Sequence, residues 1–188
     1  DNSPDTMVLE SNIELHVQTG YTFAPGGNVT TAGTGDLHLD DSATFTGAGS
    51  EAHVVGADLM IDSSAVFTAP TSGTVSAQTT TIAGTLTAGG STITLTGTSG
   101  TLITRSGTFT QGTSTISVTS ASGTPTLLSA GTTFHILTIN AGATVVNDGA
   151  AITINNAANA ALNVTSGVLN LSASPTGPGS GNGTLTVS

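Results

Sequence analysis

A repeat with a period of about 22 residues constrains what this chain can fold into more than any other feature. Three early segments read IELHVQTGYTF, GDLHLDDSATF and ADLMIDSSAVF, and they begin at Ile13, Gly35 and Ala57. Each copy places apolar residues at the same three positions, one full period after the previous copy. These equivalent positions are Leu15, Leu37 and Leu59; Val17, Leu39 and Ile61; and Phe23, Phe45 and Phe67. Self-similarity at a fixed interval is typical of repeat architectures.

The repeat continues in looser form along the rest of the chain. GTLTAGGSTITLTGTSGT from Gly84 matches GTFTQGTSTISVTSASGT from Gly107, an interval one position longer than that of the first copies. Later copies begin at Phe134 and Ala161, and the chain ends on the strand-like GTLTVS. Short runs that alternate apolar and polar residues, broken by Gly, Ser, Asn or Asp, indicate strands joined by turns. Only the Ala-rich stretch 155–161 hints at helix, and Asn and Thr surround it.

A stack of coils explains why one apolar set recurs at this interval. A single coil cannot bury its inward side chains, but coils stacked about 4.8 Å apart can, and equivalent strands then bond to one another. We therefore predict an all-β fold, a right-handed parallel β-helix (β-solenoid) with coils of about 22 residues. A β-sandwich is the alternative, although it needs no identity at this interval. A left-handed hexapeptide helix would need a six-residue period, which is not visible.

Composition and charge narrow the function classes. Charged residues are only 6% of the chain, the net charge is −10, and there is one Lys or Arg and no Cys. Ten of the eleven acids lie in residues 1–62. This acidity argues against nucleic-acid binding and against attraction to anionic lipid, and no apolar run is long enough to predict membrane insertion. Abundant Thr, Val and Ile alternating with polar residues argue against disorder.

Residues 1–12 are predicted to form an N-terminal arm or cap, and residues 13–188 the β-solenoid domain. The start at Asp1 without a visible leader is typical of a processed mature form or of a piece of a larger protein. The segments GTLTAGGSTITLTGTSG and TFHILTINAGATVVNDGAAITINN resemble the Thr- and Gly-rich repeats of secreted bacterial surface β-helix proteins, of the filamentous-haemagglutinin-like adhesin and autotransporter passenger type. This resemblance, across about residues 13–188, implies export to the cell surface and attachment or fibre formation, and it carries over no active site.

We expect a structural extracellular protein, a subunit of a surface filament that assembles with copies of itself end to end. Solenoid ends expose unpaired strand edges, and residues 63–188 hold only Arg105 and Asp148 to protect them. An open head-to-tail contact gives a fibre. The alternative is an adhesin or carbohydrate-binding module of a larger surface protein, with surface glycans as partners. A bare edge would equally arise if the repeat continued beyond an excised fragment.

The same register aligns polar residues on the outer face. If Leu15 and Val17 point inward, the outer columns are Glu14/Asp36/Asp58, His16/His38/Met60 and Gln18/Asp40/Asp62. Carboxylates one coil apart repel by about 1 kcal/mol in water and roughly 3–4 kcal/mol at an effective dielectric of 20. A divalent cation, Ca²⁺ for oxygen ligands or a transition metal for His, would relieve this repulsion, as would protonated His. The candidate metal ligands are Glu14, Asp36, His38, Asp40, Asp58 and Asp62; solvated, screened side chains are the alternative.

Catalysis is not expected. A polysaccharide-degrading enzyme of this shape would need placed carboxylates or a basic residue, but Asp40 and Asp41 point to opposite faces of a strand and Arg105 lies far from the acids in sequence. No catalytic residue and no cofactor other than Ca²⁺ is predicted. Thr-x-Thr runs such as Thr85–Thr87 and Thr108–Thr110 would suit ice binding, yet later copies lose them. Three Asn-x-Thr triplets mark possible glycosylation at Asn28, Asn163 and Asn182, and His53 and His135 are expected to be ordinary strand residues.

Overall fold

The chain folds as a β-solenoid. The computed structural model describes residues 6–127, 132–147, 152–155, 158–170 and 185–187. Within these ranges the protein is all β, without helix, and its parallel strands stack in about 7 coils of about 22 residues. The predicted parallel β-helix is therefore confirmed, and the β-sandwich is excluded because its strands would pair antiparallel. The described residues include no helix long and apolar enough to cross a membrane.

Each coil contributes strands to long parallel sheets that run along the solenoid. Sheet 1 contains, in spatial order, Met7–Leu9, Val29–Thr31, Ala52–Val54, Thr74–Ala77, Thr92–Leu95, Thr115–Val118, Ile136–Asn147 and Thr126–Leu127, and Ala161–Asn170 also pairs with Ile136–Asn147. Sheet 2 contains Leu15–Val17, Leu37–Leu39, Asp58–Ile61, Thr79–Ile82 and Ile103–Arg105. Sheet 3 contains Thr22–Phe23, Thr44–Thr46, Val66–Thr68, Thr85–Thr87 and Thr108–Thr110. A fourth sheet joins Thr133–Phe134, Ile152–Ile154 and Leu185–Val187.

The predicted columns of apolar residues form the core. Leu15 pairs with Leu37 and Leu37 with Leu59 in direct register, so residues one period apart lie above one another. The Phe column does the same, with Phe45 and Phe67 stacked at 4.7 Å between ring centroids. The two-residue alternation of a strand sends every second side chain into this interior. The later copies, whose interval is one position longer, are also in register, for example where Thr85–Thr87 pairs with Thr108–Thr110.

Turns absorb the changes in coil length. The turn between sheets 2 and 3 spans 62–65 after Ile61 but only 83–84 after Ile82, so Val66 pairs with Thr85 at a shortened interval. The longer turns carry a left-handed residue at one place in successive coils: Gly20, Ser42 and Ser64 have φ of 77°, 62° and 61°. The apolar columns consequently stay aligned although the interval varies.

The N-terminal segment joins the stack of its own chain. Met7–Leu9 pairs with Val29–Thr31 at the same interval as the early repeats and forms the outermost strand of sheet 1. Residues 1–5 of the predicted arm or cap lie outside the described residues. The strand predicted in the final GTLTVS is present as Leu185–Val187, which pairs with Ile152–Ile154.

Candidate functional site: a histidine and carboxylate cluster on sheet 2

The outer face of sheet 2 gathers the polar columns at the N-terminal end of the solenoid. Leu37 and Leu39 are fully buried on its inner face, and His38 between them points outward with 22% of its side chain exposed. His16 occupies the same position one coil earlier, and Met60 one coil later. The predicted inward and outward faces of these strands are therefore confirmed.

His38 lies between two carboxylates from neighbouring coils. Its Nδ1 is 3.1 Å from Glu14 Oε1 and its Nε2 is 3.1 Å from Asp62 Oδ2. Both partners lie 24 positions away in the sequence, which is one coil plus two residues along the strand. Such diagonal contacts are the expected neighbours of a long side chain on a sheet.

His16 repeats this diagonal contact one coil earlier. Its Nε2 lies 2.6 Å from Asp40 Oδ1, again at a separation of 24 positions. The two imidazole rings stack with centroids 4.8 Å apart and 10° between their planes. Asp40 Oδ1 is also 4.0 Å from His38 Nε2, so it faces both rings.

The contacts shift the pKa values of the cluster in opposite directions. Partial burial lowers the pKa of His38, but the hydrogen bonds and negative charges of Asp62 and Glu14 outweigh it, and the net pKa is raised above 6.5. The hydrogen bond from His16 is the main reason that the pKa of Asp40 lies below its usual value, with the charges of both histidines adding to it. Each imidazole therefore stabilises the ionised form of a nearby carboxylate.

Two of the predicted ligands stand apart from the histidines. Asp36 Oδ1 accepts a hydrogen bond from the backbone amide of Asp58 at 2.8 Å. Asp58 Oδ1 in turn accepts from the Thr79 hydroxyl at 2.6 Å. These bonds offset the repulsion in the acidic column by linking each carboxylate to a donor in the next coil.

The structure thus divides the six predicted ligands into two groups. His38 lies with Glu14, Asp40 and Asp62 in one group, whereas Asp36 and Asp58 form the separate acidic column. His16 was placed in an outer column but not among the ligands, although its diagonal relation to Asp40 follows from the register. His16, His38 and Asp40 each present one ligand atom, and these atoms all lie within 4.8 Å of one another. Two imidazoles and a carboxylate at this separation form a donor set suited to a divalent transition metal.

An apolar groove lies beside this cluster at the outermost coil. It has a volume of about 290 Å³ and is lined by residues 15–18 and 21–23 of sheets 2 and 3. Tyr21 is 67% exposed and Ile13 48% exposed, both large for apolar side chains at a surface. Among the described residues no strand pairs with the outer edges of Leu15–Val17 and Thr22–Phe23.

The remaining predicted sites are dispersed. Asn28 is half-buried and its Oδ1 accepts the Ala52 amide at 2.8 Å, Asn163 is exposed on sheet 1, and Asn182 lies outside the described residues. His135 is buried, with Nδ1 3.1 Å from Asn155 Oδ1. Arg105 contacts Thr132 and the Gly107 carbonyl and lies on the last strand of sheet 2, two strands from Asp58–Ile61.

Threonines also align on the outer face of sheet 3. Thr85 pairs with Thr108 and Thr87 with Thr110, and these pairs belong to two columns. Val66 interrupts one of them in the preceding coil. The other column is continuous over four coils, through Thr46, Thr68, Thr87 and Thr110.

Comparison with known proteins adds no relative. No protein-family model, no curated protein and no solved structure matches this chain.

Proposed function

We propose that this protein is a structural extracellular subunit that joins copies of itself end to end through parallel strand addition. The observation that carries the proposal is the outermost coil, where two neighbouring sheets present strand edges beside an apolar groove. Hydrogen bonds between backbones and stacked side chains would hold the copies together. The proposal includes no chemical reaction.

Backbone geometry shows which groups the edge offers. The Thr44 amide donates to the Tyr21 carbonyl at 2.8 Å. Alternate residues of a parallel strand bond to opposite neighbours, so the peptide groups of Thr22 face away from the stack. The same holds for His16, because Leu15 and Val17 both bond to the next coil. These donors and acceptors form a template for one more strand.

The far end of sheet 1 supplies a second unpaired strand edge among the described residues. Ala161–Asn170 pairs on one side with Ile136–Asn147, and no described strand covers its other side. Val164 and Val168 on this strand are 49% and 52% exposed. Two different apolar surfaces on one chain give a heterologous contact, which extends into a fibre when it does not close into a ring.

Charge distribution favours this contact over random aggregation. The acidic segment 1–62 keeps the protein soluble, and the far end has almost no charge to repel. An extracellular location suits a strand-rich rod with so few sites for trypsin, which cleaves only after Lys or Arg. An adhesin module remains the competing function, and binding to glycans without self-association would favour it.

Electron microscopy and sedimentation velocity of Thr22→Pro test the proposal. Proline removes the outward amide of Thr22 and should abolish end-to-end association, whereas Thr22→Val keeps that amide and should assemble like the unmodified chain. Far-UV circular dichroism should be the same for all three proteins. Scattered monomers of the unmodified chain at every concentration, or equal assembly of both variants, would contradict the proposal.

A further inference from the structure

The cluster on sheet 2 brings together three potential metal ligands from two coils. His16 Nε2, His38 Nε2 and Asp40 Oδ1 converge on the outer face, with Asp40 2.6 Å from one imidazole and 4.0 Å from the other. Ligand atoms in a tetrahedral zinc site are about 3.3 Å apart, given metal–ligand bonds of about 2.0–2.1 Å. The two observed separations lie on either side of that value. Because an imidazole binds a metal in its ring plane and the two rings are stacked with 10° between their planes, both rings must turn out of the stack to reach one ion.

Glu14 orients the second imidazole for this role. Its Oε1 lies 3.1 Å from His38 Nδ1, so that nitrogen carries the proton when it donates to the carboxylate. An ion would therefore bind at Nε2, the nitrogen that faces Asp40 and Asp62, in place of the proton donated to Asp62. Carboxylates that accept from the far nitrogen of a histidine are the usual partners of metal-binding imidazoles.

We propose that His16, His38 and Asp40 bind one Zn²⁺ ion per chain, with Glu14 as the positioning carboxylate and the fourth coordination position open. Binding displaces two protons, the one that His38 Nε2 donates to Asp62 and the one that His16 Nε2 donates to Asp40. A protonated imidazole releases its proton to solvent, and a neutral one keeps a proton on Nδ1. The site can form once only along the column, because Met60 replaces the imidazole in the next coil. This proposal is independent of the assembly described above.

Accessibility and charge favour occupancy. The side chains of His16 and Asp40 are 44% and 26% exposed, so an ion can enter without unfolding the strands. Residues 1–62 contain ten acids and no Lys or Arg, and their field attracts a cation. Imidazole nitrogen favours zinc over calcium, which prefers six to eight oxygen ligands. The acidic column of Asp36 and Asp58 lacks imidazole and is already hydrogen-bonded.

Isothermal titration calorimetry with Zn²⁺ alone, on the full chain stripped with EDTA, tests the site. We expect saturable binding of one ion per chain, accompanied by proton release that scales with buffer ionisation enthalpy. His38→Met should abolish it, and this variant should fold because Met60 occupies the same column. Glu14→Gln should weaken binding by about 10-fold or more, since it removes the orienting carboxylate. His16→Asn should abolish binding independently.

Asp36→Asn is the matched control, because it removes one negative charge nearby and leaves the three ligands in place. Its affinity for Zn²⁺ should stay close to that of the unmodified chain, while Asp40→Asn should lose binding. Absence of saturable Zn²⁺ binding to the folded chain would overturn the proposal. Equal binding by His38→Met, or equal affinities for Zn²⁺ and Ca²⁺ that fall with Asp36→Asn, would do the same.

Discussion

His16 and His38 stack face to face on the outer surface, with ring centroids 4.8 Å apart and 10° between the ring planes. This separation is the distance between neighbouring strands of a sheet. Identical residues one coil apart therefore meet directly, whether they are the imidazoles outside or the phenylalanines inside. Each column therefore packs as one unit. A residue in the middle of a column contacts an equivalent residue on both sides, so its removal should cost the most stability.

Phe45 is the middle member of the core Phe column, and its removal should cost more than removal of its neighbour at the end. It is fully buried, 4.7 Å from Phe67 and 5.0 Å from the His53 ring, measured between ring centroids. Phe45→Ala should destabilise by about 3–5 kcal/mol. Phe23→Ala should cost less, because Phe23 is only partly buried. Urea denaturation of both variants checks this, and equal losses would contradict it.

The fold was predictable because the same apolar residue types recur at a fixed interval in the sequence. Leu37 and Leu59 are identical residues one period apart, and the structure places them in direct register. The pairing of the later coils could not be predicted from the sequence. The turn after Ile82 is shorter than the turn after Ile61, and Thr85 therefore pairs with Val66 at less than one full period. A search for residues at a fixed interval misses a column when a turn in one coil is shorter than in the others.

The candidate site was predictable only in part. The columns identified the acids and His38, but pairing along the diagonal joined His16 to Asp40, at a separation of 24 positions. Such contacts depend on side-chain length and rotamer, and the spacing of the repeat does not predict them. His53 was expected to be an ordinary strand residue, yet it is fully buried in register with Val29 and Val75. Valine occupies this position in the coils before and after His53, and that pattern could have predicted that the position faces inward.

Thr80 is a second polar residue in an apolar column, and replacing it should stabilise the protein. It pairs with Leu59 and Ile103, is 2% exposed, and its hydroxyl has no hydrogen-bond partner. Thr80→Val keeps the shape and removes the unsatisfied group, so we expect a gain of about 1–2 kcal/mol. Thr81→Val, on the exposed side of the same strand, should change stability by less than about 0.5 kcal/mol. A melting temperature that does not rise for Thr80→Val would contradict the expectation.

Alanine substitutions at two glycines should distinguish the cost of backbone strain from the cost of steric overlap. Gly20 has φ of +77° with nothing within 4 Å of an added Cβ, so Gly20→Ala should cost about 1–2 kcal/mol through its left-handed backbone alone. An added Cβ at Gly73 would overlap the Glu51 carbonyl oxygen, so Gly73→Ala must displace backbone in the neighbouring coil. The Gly73 variant should therefore be clearly the less stable of the two in urea denaturation. The reverse order would show that the coils at this point separate at little cost.

His53 should make the protein less stable in acid. Burial lowers its pKa below 6.5, and the nearby charge of Glu51 opposes this shift only in part. Glu51 Oε2 is 3.3 Å from His53 Nε2 without the geometry of a hydrogen bond, and neither ring nitrogen has a hydrogen-bond partner. As the pH falls below 6.5 the unfolded chain takes up a proton that the folded chain excludes. The stability contributed by neutral His53 is thus complete above pH 6.5 and is lost as the pH falls through the folded pKa.

His53→Val isolates this contribution, because valine is the residue at the same position in both neighbouring coils. Other groups titrate in the same range, including His38, whose raised pKa acts in the opposite direction. The measurement is therefore the difference in unfolding free energy between the variant and the unmodified chain, from urea titrations at pH 5 and pH 8. We expect the variant to gain stability relative to the unmodified chain as the pH is lowered. A difference that is the same at both pH values would mean that the buried ring accepts a proton as readily as it does in the unfolded chain.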